Sequence, residues 1–288
     1  MDTLTDRRYV SQRNENCMNA ARILALDFDG TICDGMAEYW QTAWRTYTQV
    51  WQLDRIEPSA GVAEKFRELR PLIEVGWEMP VLIRAIGLGI STERMQSSWQ
   101  RIRDRIIADS RLSGVKVSQE LDKVRDTWIQ QDPDSWLSLH QFYPGIVDTL
   151  KGLPDRKIQP VIITTKESRF VIQLLKQQGI EISSEFVWGK ELKRSKTDSL
   201  KQILDRGVKK SPTVWFVEDK FSTLAKIASQ PELEAVKLYL ADWGYNTPAE
   251  REAAAAQSRI QVISLPDFPA LGGEARKTAA SKAVAAAT

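Results

Sequence analysis

The sequence predicts an α/β protein: a doubly wound parallel sheet interrupted after its first strand by an all-helical insert. Three observations carry this. Short apolar runs bounded by turn residues, Ile23-Leu24-Ala25-Leu26, Val161-Ile162-Ile163 and Val214-Trp215-Phe216-Val217, read as strands buried on both faces. Helical stretches alternate with such runs after about residue 143, the rhythm of a parallel sheet. Between about 37 and 140 the apolar period is helical, with little sign of strands.

Taken in order, residues 1–20 are polar and mixed in charge, an extension without the apolar core of a signal peptide. The first strand, about 22–28, runs into Asp27-Phe28-Asp29-Gly30-Thr31, and Ile32-Cys33-Asp34-Gly35 turns the chain away. Tyr39, Trp40, Trp44, Tyr47 and Trp51 then give one aromatic helical face, expected to be core rather than a substrate platform. Further helices are predicted at 62–69, 71–86, 92–109, 117–131 and 134–142, punctuated by Pro71, Pro80, Gly87, Gly89 and Pro133. His140, the single histidine, has no expected catalytic duty.

After Tyr143-Pro144-Gly145 comes a short helix to about Leu153, then the strand at Val161–Ile163 ending in Thr164-Thr165-Lys166. Glu167–Gln178 is an amphipathic helix stopped by Gly179. Phe186-Val187-Trp188 is a short strand, 196–206 a helix closed by Gly207, and Val214–Val217 a strand ending at Glu218-Asp219. Strands at 236–240 and 260–263 complete the sheet. From about 270 the Ala-rich tail lacks the apolar period that would anchor it. The expected division is a core over 21–36 and 143–267, a helical insert over 37–142 and a disordered tail over 268–288.

Composition narrows the function. At 42% hydrophobic and 27% charged, the chain can bury a substantial core. The 40 basic and 38 acidic residues are dispersed and leave a net charge of +2, so nothing favours nucleic acid or an anionic membrane as a partner. Cys17 and Cys33 make no disulfide framework, and Cys33 is expected to be a buried spectator thiol. No window reaches 18 apolar residues. These features predict a soluble, cytoplasmic protein, a monomer or homodimer without a nucleic-acid or membrane partner.

The chemistry gathers at strand ends, where ligands sit in open parallel sheets. Alternation along a strand lets Asp27 and Asp29 lean to one side, and Gly30 allows a sharp exit. Two acids at the end of a buried strand shift their pKa or demand a cation. Mg2+, which takes a few carboxylates plus a phosphate, is one account. Thr164, with Thr165 as rival, ends a second strand, and Glu218 and Asp219 end a third.

The stretch Asp27-Phe28-Asp29-Gly30-Thr31 resembles the Asp-x-Asp-Gly-Thr motif of the haloacid dehalogenase-like phosphohydrolases. The resemblance covers about 21–265, and the position of the helical insert is similar to the phosphoglycolate phosphatase-like branch with its helical cap. It implies a Rossmann-like core, Mg2+ as cofactor and a small phosphorylated metabolite as substrate. By the same resemblance Asp27 is the nucleophile that forms an aspartyl-phosphate, and Asp29 the acid and later the base. Thr164 or Thr165, together with Phe28, would bind the phosphoryl group. Lys196 resembles the motif lysine, with Lys190 and Lys193 close by as rivals. Asp27, the Asp29 carbonyl, Asp219 and Glu218 would hold the metal. The family's commoner fourth motif has a second acid where this chain has Thr223, which leaves Glu218 as the alternative ligand.

In the insert, Arg70, Glu74 and Glu78 concentrate charge among apolar residues and are candidate specificity residues. The retained second acid, Asp29, argues against a dehalogenase, and no cap lysine is evident for a phosphonatase. A phosphomutase, or a non-catalytic regulatory or assembly protein on the same fold, stays open beside the phosphatase.

Overall fold

The computed structural model describes residues 22–54, 57–205 and 212–272. The expected N-terminal extension, Cys17, Gly207 and nearly all of the Ala-rich tail lie outside the described residues. The chain forms two compact units, one of Met1–Cys33 with Phe142–Thr288 and the other of Asp34–Gln141.

The first unit is built on six strands: β1 (Arg22–Leu26), β4 (Gln159–Ile163), β5 (Val187–Trp188), β6 (Thr213–Glu218), β7 (Val236–Ala241) and β8 (Ile260–Ile263). Their order is β5-β4-β1-β6-β7-β8 and every pairing is parallel. The order reverses direction at β1, the switch point at which such sheets hold ligands. Strand β1 is a continuous apolar run because it lies between β4 and β6, and Leu24, Ala25 and Leu26 are wholly buried.

Helices α7 (Ile146–Gly152), α8 (Ser168–Gln177), α9 (Lys196–Asp205), α10 (Phe221–Ala228) and α11 (Pro248–Ala255) connect the strands. Ile23, Val161, Phe216, Leu238 and Leu240 from the sheet pack with Leu200, Leu224 and Ile227 from helices in one apolar core. Burying each such side chain contributes about 1.5–3 kcal/mol before chain entropy is counted.

Register places the chemistry. Leu26 lies opposite Ile162 on one side and Val217 on the other, so the residues just beyond β1, β4 and β6 emerge together. Asp27 N–H donates to Val217 O at 2.9 Å, and Thr164 N–H donates to Trp188 O at 2.9 Å.

The second unit contains α1 (Met36–Val50), α2 (Val62–Leu69), α3 (Glu78–Gly87), α4 (Thr92–Asp109), α5 (Gly114–Gln131) and α6 (Pro133–Leu137). The aromatic face of α1 forms a ladder, with Trp40 to Trp44, Trp44 to Tyr47 and Tyr47 to Trp51 ring centroids 5.5–5.6 Å apart. These residues recur every three or four positions, so their rings meet on one helix side. Ser91 and Ser113 cap α4 and α5 with side-chain acceptors. His140 is buried against Trp136.

The helix expected over 117–131 starts three residues early, at Gly114, and two other helices differ more from expectation. The helix expected over 71–86 is a 3-10 turn at Arg70–Leu72 followed, after a break, by α3. Pro71 sits in the first turn of the 3-10 segment, and the bends and turns over 74–77 separate it from the helix that begins at Glu78. The helix expected over 134–142 stops at Leu137, and Gln141–Phe142 (β3) instead pairs with Cys33–Asp34 (β2). Period alone does not separate a short apolar helix end from a strand.

Candidate active site

The loop leaving β1 is tied tightly. Phe28 O accepts N–H bonds from Ile32 at 2.9 Å and Cys33 at 3.0 Å, and Gly30 N–H donates to Cys33 O at 2.8 Å. Gly30 sits at φ +88°, and a Cβ there would lie 2.3 Å from Asp219 Oδ2. Only glycine meets both demands. The Phe28 ring is buried, edge-on to Phe142, so the ring itself belongs to the core.

Asp27, Glu218 and Asp219 are buried, and each offers a carboxylate oxygen within 4.8 Å of the others. Lys196, at the start of α9, reaches back to this group. Its Nζ donates to Asp27 Oδ1 at 2.6 Å and to Glu218 Oε2 at 2.6 Å. Glu218 Oε1 accepts Lys220 N–H at 3.1 Å, and Asp219 Oδ2 accepts Tyr245 N–H at 2.8 Å. Lys196 is thus ion-paired with two of the three carboxylates, Asp27 and Glu218, and the three acids with this one ammonium sum to two negative charges when all are ionised.

The electrostatics follow from burial first and from the crowding of like charge second. Burial pushes the Asp27 carboxyl up to about 7; Lys196 pulls against this and Glu218 adds to it. Burial likewise pushes Glu218 up to about 7, opposed by Lys196 and reinforced by Asp219. Asp219 is raised by burial and by Asp27. For Lys196, burial works against the charge, but Asp27 and Glu218 outweigh it and hold its pKa above the ordinary lysine value. The donor set is hard oxygen and carries surplus negative charge, which fits a divalent cation such as Mg2+.

Asp29 is placed differently. Its Oδ1 lies 3.3 Å from Lys166 Nζ, an ion pair that lacks hydrogen-bond alignment. Its carboxylate is not one of the three in the acid cluster, so its part in holding a metal would fall to the main-chain carbonyl. Thr164 is buried and Thr165 exposed. Thr164 Oγ1 accepts Lys166 N–H at 3.0 Å, which occupies a lone pair and leaves the hydroxyl hydrogen to donate outward. Among the three lysines, Lys196 meets Asp27, whereas Lys190 pairs with Glu167 at 3.4 Å and Lys193 is exposed.

The insert candidates do not converge. Glu78 is wholly buried and accepts from Arg103, from Trp99 Nε1 at 3.3 Å and from Glu74 N–H at 3.0 Å. Arg70 donates to Ile73 O at 3.3 Å and lies over Tyr39, and the Glu74 side is exposed.

Two features escaped sequence reasoning: Lys166 beside Asp29, and the loop Trp243-Gly244-Tyr245-Asn246 after β7. The signal was positional. Both lie just past the carboxyl ends of strands that the sequence does predict.

A family model described as haloacid dehalogenase-like hydrolase matches residues 21–225. No curated protein matches. Among solved structures, a predicted phosphoglycolate phosphatase from Haemophilus somnus is 13% identical, with a TM-score of 0.54 over 86% of this chain and 96% of that one. A predicted phosphatase from Clostridium acetobutylicum is 15% identical, with a TM-score of 0.53 over 86% and 96%. A haloacid dehalogenase-like family protein from Streptococcus pneumoniae is 14% identical, with a TM-score of 0.50 over 85% and 93%. At these identities the structures establish a shared fold.

Proposed function

The chain belongs to the haloacid dehalogenase-like hydrolase family, and from that premise we propose that it is a Mg2+-dependent phosphatase of a small phosphorylated metabolite, working through an aspartyl-phosphate. The observation that carries this reading is the trio Asp27, Glu218 and Asp219, buried together at strand ends with Lys196 ion-paired to Asp27 and Glu218. Burying three carboxylates together is costly, and a cation with an anionic substrate would offset that cost.

In this reading Lys196 engages Asp27 through Oδ1 and leaves Oδ2 to attack phosphorus. The bond from phosphorus to the ester oxygen breaks, and Asp29 gives that oxygen a proton. Asp29 then takes a proton from water, which attacks the phosphoryl group and frees Asp27 and inorganic phosphate. Thr164 Oγ1, Lys196 and the main-chain N–H of Phe28 hold the phosphoryl oxygens. Asp27, Asp219, Glu218 and the Asp29 carbonyl would hold Mg2+. The ion supplies charge neutralisation that lets an ionised carboxylate approach a phosphate dianion.

Arg70 and Glu74 are the proposed selectors among phosphate esters, and Ala variants that change relative kcat/KM across substrates would support them. Glu78 is the weakest of the three candidates because Arg103 and Trp99 already occupy it. Among the described residues no helix is long and apolar enough to cross a membrane. Dispersed charge and the absence of a disulfide framework support a cytoplasmic location.

Phosphate release from a panel of small phosphomonoesters, with and without Mg2+, tests the proposal. Mg2+-dependent turnover is expected in the wild type and none in Asp27→Asn. Intramolecular phosphate transfer without release would favour a phosphomutase.

A further inference from the structure

The acid cluster is braced from behind by a polar chain that begins on α11. Arg251 Nη1 donates to Asn246 Oδ1 at 2.9 Å and to Asn246 O at 3.2 Å. Asn246, itself buried, passes the connection on: its Nδ2 donates to Asp219 O at 2.9 Å and to Ala241 O at 2.8 Å. The amide orientation is fixed by chemistry, because two carbonyls need donors and a guanidinium needs an acceptor. Asn246 thus ties the ends of β6 and β7 together at the residue that carries the Asp219 carboxylate.

The adjoining residues bear on that carboxylate directly. Tyr245 N–H donates to Asp219 Oδ2 at 2.8 Å. Gly244 is packed so closely that a Cβ there would lie 2.3 Å from Asp219 Cβ and 2.5 Å from Gly30 O. The end of the loop is pinned by Thr247, which forms a reciprocal capping box with Glu250 at the head of α11. Asp219 therefore has its main chain held by Asn246 and its carboxylate by Tyr245, while glycines on both sides remove any slack.

We propose that Asn246, anchored by Arg251, is a positioning residue that sets Asp219 for divalent-cation binding. The proposal rests on the metal-dependent reading above. Outer partners of this kind orient ligands, and their loss costs about 10–100-fold in metal affinity. A purely structural role would lower melting temperature and leave the affinity of the folded protein unchanged.

The test is calorimetric Mg2+ titration of the full chain, with melting temperature measured in parallel. Asn246→Asp keeps the side-chain size and the Arg251 partner but replaces the two-carbonyl donor. It is expected to bind Mg2+ about 10–100-fold more weakly than wild type, with KM at saturating Mg2+ little changed. Arg251→Met, which leaves the amide in place, should weaken binding in the same direction by less and serves if Asn246→Asp does not fold. Wild-type affinity in the folded variants would overturn the positioning role, whatever their melting temperatures. A wild type that binds no Mg2+ would overturn the metal-dependent reading itself, and this proposal with it.

Discussion

Both units bury acids, and they do so in opposite ways. In the helical unit Glu38 is wholly buried, and every demand of its carboxylate is met: Arg125 Nε at 2.8 Å, Arg125 Nη2 at 3.3 Å, Thr42 Oγ1 at 2.6 Å and Trp136 Nε1 at 3.1 Å. Glu78 is met likewise by Arg103, Trp99 and the Glu74 N–H. Each of those acids has its own arginine. At the strand ends of the other unit three acids cluster, Lys196 pairs with two of them, Asp27 and Glu218, and burial holds those two near 7. A satisfied buried charge stabilises geometry, whereas a cluster short of positive charge is a receptor for it.

The sharpest way to break this contrast is to neutralise one acid in each unit. Asp27→Asn should abolish phosphate release, a loss on the order of 10^6-fold as for removal of a nucleophile, with little loss of stability. Glu38→Gln should do the reverse. It leaves Arg125 buried without its carboxylate, so denaturant unfolding should show a loss of about 3–5 kcal/mol, while protein that remains folded keeps its chemistry. Equal effects of the two substitutions would erase the distinction.

A smaller effect separates neighbours. Thr164→Val should cost about 10²-fold in kcat, the scale of one oxyanion donor, and Thr165→Val should cost almost nothing. Steady-state kinetics on both variants would reverse the assignment if Thr165 proved the sensitive one.

The smallest expected effect lies in pH dependence. The carboxyls of Asp27 and Glu218 rise from ordinary values of 3.8 and 4.5 to about 7 on folding. Protonation therefore favours the folded state. Their contribution is fully present below the unfolded values and is lost as pH rises through about 7. Melting of metal-free protein should move to lower temperature between about pH 5 and pH 8, and Mg2+ should restore it at the upper end. A melting temperature that rises over that interval without metal would contradict the electrostatic account.

Legibility in the sequence followed burial on two faces. The runs at Ile23–Leu26, Val161–Ile163 and Val214–Val217 read as strands because strands covered by helices on both faces need continuous apolar residues. Asp27, Asp29, Thr164, Lys196, Glu218 and Asp219 were readable as candidates because each stands beside a strand end or opens a helix. Which threonine turns inward was not readable, since alternation breaks down where the chain leaves the sheet. Asn246 and Arg251 were not readable either, because Asn246 acts through the carbonyls of residues 219 and 241 and Arg251 through Asn246, and no residue type announces such bonds. The break near Pro71 and the early stop at Leu137 show the limit of helical period, which marks a face but not its ends.

The central claim is that the undercompensated acid Asp27 takes the phosphoryl group. Trapping measures this most directly. In Asp29→Asn, p-nitrophenyl phosphate has a leaving group that needs no acid, so Asp27 can still be phosphorylated, while the step that needs a base stalls. Acid-quenched protein from that reaction, digested and mapped by mass spectrometry, is predicted to carry phosphate on the Asp27 peptide at close to one group per chain. Turnover of the ester by the wild type with no phosphate on Asp27 in the variant would contradict the account.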